Sequence, residues 1–143
     1  MIMIDQGFYV KKELPSPWWV MAFYNVETNA DYEKIYGTLL ASGIGVEKAN
    51  AAVSVLKNPN TGYILTDSAR QTSIIAISHA TSYEEMYDTV THEMQHLTAD
   101  ICAHFGIEYY SEKAAYIQGE IGKNMYKAVA LSVCPKCNCQ RRY

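Results

Sequence analysis

The sequence predicts an α+β fold: a small, mostly antiparallel sheet packed on one long helix, with a second long helix after it. Two observations carry this. Four runs of aromatic and β-branched residues, set off by Pro, Gly and Asn, lie within the first 80 positions. From Ser82 onward the apolar period becomes helical and stays so to about residue 130. The chain has 143 residues, 49% of them hydrophobic, which suffices for one domain with its own core.

The elements follow in order. Residues 7–11 and 18–26 read as strands, separated by Leu14-Pro15-Ser16-Pro17, where proline cannot join a ladder. Of the pair Trp18-Trp19, alternation sends one ring to the core and the other to the surface. Thr28-Asn29-Ala30-Asp31 starts a helix whose apolar face is Tyr32, Ile35, Tyr36, Leu39 and Leu40, and Gly43 ends it. A shorter helix over 46–57 carries Val46, Ala49, Val53 and Leu56. Asn58-Pro59-Asn60-Thr61-Gly62 is a turn, and 63–66 and 72–78 form a hairpin across Asp67-Ser68-Ala69-Arg70. Ser82 with Glu85 gives a capping box for the long helix, and Gly106 suits a left-handed C-cap. Ser111 caps the last helix, where Ala115, Gly119 and Gly122 form a small-residue stripe. A helical Gly costs about 1 kcal/mol relative to Ala. Two of them therefore predict close approach to Ala99 and Ala103 of the long helix.

Composition excludes several classes. A net charge of −3 and a basic run no longer than Arg141-Arg142 argue against a nucleic-acid partner. No stretch approaches a membrane span, and Met1-Ile2-Met3-Ile4-Asp5-Gln6 lacks the basic and apolar regions of a signal peptide. A cytoplasmic location is expected, or a virion if the chain is phage-encoded. Four Cys, three of them within the last ten residues, do not resemble a secreted disulfide framework.

The long helix carries Thr91-His92-Glu93-Met94-Gln95-His96, the pattern H-E-x-x-H. Tyr83, Met86, Val90, Met94, Leu97, Ile101 and Phe105 form its apolar stripe. At about 100° per residue, His92 and His96 lie about 200° and 240° from Val90, opposite that stripe. Two imidazoles four residues apart can share one zinc, with Glu93 beside the open position as general base.

Catalytic zinc usually has three protein ligands. The metzincin pattern requires a Gly and a His where this chain has Ala99 and Cys102, and His104 lies too far along a straight helix. Asp100 is a candidate for orienting an imidazole or as an alternative ligand. Glu112 and Glu120 on the last helix remain as third ligands: angular position favours Glu112, axial height favours Glu120.

His92-Glu93-Met94-Gln95-His96 followed by Glu112-Lys113-Ala114-Ala115-Tyr116 resembles the gluzincin arrangement. It is similar in particular to small zincin-like proteins of tailed phages and mobile elements. The resemblance covers about residues 82–122 and implies a zincin-like fold. It further implies His92, His96 and Glu112 as zinc ligands, and Glu93 as the base of a metallopeptidase acting on a peptide or protein substrate. Tyr116 stands where many gluzincins place a supporting carboxylate.

Elsewhere, Cys134, Cys137 and Cys139 are candidates for a second, structural zinc completed by Cys102 or His104, or else for a disulfide or free thiols. His79 reads as a surface histidine or a cleft residue, and Tyr109, Tyr110 and Tyr116 as packing or as oxyanion donors. A functional alternative to the enzyme is a zinc-binding structural protein of zincin fold, such as a virion component with an assembly partner.

Overall fold

The computed structural model describes residues 2–137, with side chains through Val133. The elements run β1 (Ile4–Val10), β2 (Trp18–Val26), α1 (Asn29–Ala41), α2 (Val46–Leu56), β3 (Gly62–Asp67), β4 (Thr72–Ser78), α3 (Tyr83–Phe105) and α4 (Glu112–Cys137). The fold is α+β, with four helices around one four-stranded sheet of order β1-β2-β4-β3. The sheet is mixed, with two of its three pairings antiparallel. β1–β2 and β3–β4 pair antiparallel, while β2 and β4 pair in parallel at the centre. That parallel pair needs a crossover, and α1, α2 and β3 supply it.

Strand alternation divides the core in two. Val20, Ala22 and Tyr24 of β2 and Ile75 and Ile77 of β4 face α3 and α4. Phe23, Ile74 and Ala76 face α1 and α2, where they meet Ile35, Leu39, Ala52 and Leu56. Trp18 is wholly buried, whereas Trp19 lies against Tyr9 with ring centroids 4.8 Å apart. None of the helices among the described residues is long and apolar enough to cross a membrane.

The caps lie where the sequence places them. Thr28 and Asp31 form a reciprocal capping box on α1. Ser82 Oγ accepts from the Glu85 amide at 3.1 Å, without the return bond, and Ser111 Oγ accepts from Ala114 at 3.1 Å. Gly106, at φ +67°, closes α3 in the left-handed conformation that glycine adopts freely.

One expectation is corrected here. The face of α4 that packs inward is Ala114, Ile117, Ile121, Met125 and Ala128, not the small-residue stripe. Ala115 and Gly119 are exposed, a Cβ on Gly119 would meet nothing within 4 Å, and Gly122 alone approaches α3, at Met94. Burying an Ile or Met contributes about 1.5–3 kcal/mol, so the large apolar face prevails. The edge strand beside α3 is β3, since residues 72–78 form β4, an interior strand.

A chain of hydrogen bonds ties α3 to the sheet. Trp18 Nε1 donates to Ser73 Oγ at 3.0 Å, Ser73 and Thr66 hydroxyls lie 2.8 Å apart, and Thr66 donates to Asp100 Oδ2 at 2.7 Å. The direction is consistent throughout, each hydroxyl accepting one bond and donating the next. Ser73→Ala removes the acceptor that the described residues offer to a fully buried indole N–H. It should destabilise the protein by about 1–3 kcal/mol in urea unfolding, and most of that cost should vanish in a Trp18→Phe background.

Candidate metal centre

α3 meets different surroundings around its axis. Val90, Met94 and Thr98 lie toward α4 and the groove beside it. Met86, Leu97 and Ile101 are buried in the core beneath the sheet. His92 and His96 project from the remaining, exposed face. Their Nε2 atoms lie 3.1 Å apart, with the rings at 76° and their centroids 4.7 Å apart. Two nitrogens on one tetrahedral zinc, at about 2.05 Å each, lie about 3.3 Å apart. The pair therefore has the separation of two ligands on one ion. The same distance suits a hydrogen bond between neutral rings, one donating and the other accepting.

Glu93 turns the other way. It is only 6% exposed and its side chain lies over Gly62, the first residue of β3. No hydrogen bond from the described residues reaches its carboxylate. Burial raises its pKa above the ordinary carboxylate value, while the charges of His92 and His96 pull it down. The site thus combines two exposed imidazoles with a buried, proton-avid carboxylate one residue away.

Among the described residues, no group of three or more His, Cys, Asp or Glu side chains is arranged to hold a metal ion. Helix geometry explains why α4 contributes nothing. Its contacts on α3 centre on Val90, Met94 and Thr98, at about 0°, 40° and 80°, which puts α4 nearly opposite the imidazoles at about 200° and 240°. Glu112, the exposed first residue of α4, lies about 160° around that helix from buried Ala114, so it points away from the core. Glu120 is engaged elsewhere, accepting from the Lys11 and Lys12 amides at 3.2 and 2.9 Å. Asp100 neither orients an imidazole nor joins the pair; it accepts from Thr66 of β3.

The other candidates also lie apart from the pair. Cys102 is buried, and His104 packs its ring edge-on against Trp18 and Phe105. His79 Nδ1 is 3.3 Å from Asn25 Oδ1 and 3.6 Å from Glu27 Oε2. Tyr110 is exposed, Tyr116 lies under the Lys12 ammonium, and Tyr109 lines a groove between α3 and α4. The side chains of Cys134 and Cys137, and the whole of Cys139, lie outside the described residues. Sequence reasoning missed Gly62 and Thr66. The available signal was alternation along β3, where Gly62, Ile64 and Thr66 share the face under α3.

Comparison of the chain with protein-family models, curated proteins and solved structures returns no match.

Gly62 marks how tightly Glu93 is held. A Cβ there would come within 2.7 Å of Glu93 Cγ and 2.9 Å of Oε2. Gly62→Ala should cost about 1–3 kcal/mol by overpacking, and under about 0.5 kcal/mol once Glu93 is Ala. Equal costs in the two backgrounds, read from chemical denaturation, would show that Glu93 is not the group displaced.

Proposed function

We propose that the chain is a zinc-dependent metallopeptidase of zincin-like fold, with His92 and His96 as metal ligands and Glu93 as general base. The observation that carries this reading is the convergence of the two Nε2 atoms to 3.1 Å beside a buried carboxylate whose proton affinity is raised. Two imidazoles suit zinc, which supplies Lewis acidity to polarise a carbonyl and acidify water. Glu93 accepts the proton of the attacking water and delivers it to the departing amine nitrogen. A carboxylate whose pKa is raised by burial accepts and returns that proton more readily than an ordinary one. β3 is the antiparallel edge strand nearest the site, and its free side can pair with an extended peptide. Glu112, implied as a ligand by the resemblance, has no part here, because it does not join the histidines.

A second reading is favoured by the same shortage of ligands. A zinc-binding structural or assembly protein, such as a virion component, needs no open metal position and no base. Two variants separate the readings. In protein purified without chelator, His92→Ala with His96→Ala should remove bound zinc. Glu93→Gln should retain the zinc but slow cleavage of an unfolded protein such as casein by about 10²–10⁴-fold. Cleavage unaffected by Glu93→Gln would refute the base. Zinc retained at these positions without any cleavage by the unaltered protein would favour the structural reading.

A further inference from the structure

A tetrahedral zinc held by two imidazoles still has two positions to fill. The described residues offer no third His, Cys, Asp or Glu to the pair, and α4, the neighbouring helix, packs on the far side of α3. Both imidazoles are exposed, and the next turns of the same face carry Ala99 and Ala103. Both of these side chains are single methyl groups, which leave room for a second helix on that side of α3.

We propose that the missing ligands come from a second copy of this chain. His92 and His96 of two chains related by a two-fold axis hold one zinc through four imidazoles, with the two α3 helices crossing antiparallel at the metal. This rests on the reading of His92 and His96 as metal ligands. The patch suits a two-fold interface because it is self-complementary. Crossing at Met94 sets Glu85 of one chain opposite Ala103 of the other, each nine residues from the centre. The acidic Glu84-Glu85 end of each helix thereby meets the Ala99–Ala103 end of its neighbour, while Asp88 comes level with an Asp100 that Thr66 holds toward β3. Four imidazoles close the metal to water. The dimer is therefore the inactive state under the peptidase reading, and activity per chain falls as protein concentration rises.

The test uses the full chain in reducing buffer, with and without zinc chloride, beside the variant carrying both His92→Ala and His96→Ala. The two residues are exposed, and matching circular-dichroism melts of the metal-free proteins confirm that the variant folds. Sedimentation should show the 16.1 kDa chain doubling in mass with zinc, reversibly on adding EDTA, and the variant remaining a monomer. The unaltered protein should bind about half an equivalent more zinc per chain than the variant, a difference that removes any contribution of the tail cysteines. A full equivalent more zinc with no change of mass would overturn the dimer and leave the metal site standing. Equal zinc in both proteins would overturn the metal site, and the dimer with it. Doubling in both proteins would show that other residues make the contact.

Discussion

The burial of one stripe of α3 governs the arrangement around the motif. Met86, Leu97 and Ile101 are wholly buried, and at about 1.5–3 kcal/mol each they outweigh any polar preference the helix could express. Once that stripe lies against the sheet, the 3.6-residue period assigns every other position. Val90, Met94 and Thr98 turn toward α4, Glu93 and Asp100 toward β3, and the two histidines outward. No interaction of the histidines themselves is needed to place them. Local helix geometry brings the two imidazoles together, and core packing decides which side they occupy.

Glu93 is the expensive residue in this arrangement. A carboxylate with no donor, inside a protein, is tolerated only where the surrounding structure over-determines it or where its altered proton affinity is used. Here Gly62 leaves the space into which the side chain fits, and Thr66 holds Asp100 two turns further along. The second contact matters because α3 could otherwise slide along β3 and release the first. A hydroxyl–carboxylate bond of 2.7 Å at one end and a close-packed glycine at the other hold the register of helix on strand.

Much of this was legible in the sequence, and the illegible part has a physical reason. Caps, helix limits and the outward placement of His92 and His96 depend on residues a few positions apart, so the chain states them directly. Sheet order does not. Whether residues 72–78 form an edge or a centre depends on a parallel pairing with β2, some 50 positions earlier, which no local pattern encodes. The inward face of α4 is hidden from local pattern for a related reason. Ala115, Gly119 and Gly122 are conspicuous, but Ile117, Ile121 and Met125 bury more surface and won the packing. Glu112 follows the same rotation, since turning α4 to bury the isoleucines turns that carboxylate to solvent.

The metal reading is affected unequally by that rotation. A histidine pair at i and i+4 is a local device that survives any change in what packs behind it. A third ligand is a tertiary one, and it fails when a neighbouring helix turns by a third of a circle. This asymmetry separates binding from catalysis. A bidentate pair on a rigid helix can hold zinc with the remaining positions open to water or to another protein. Hydrolysis further requires that one of those positions stay open beside Glu93. An exposed pair with small residues around it does nothing to guard such a position. Whatever covers that face of α3 therefore decides whether the buried carboxylate has a water to act on.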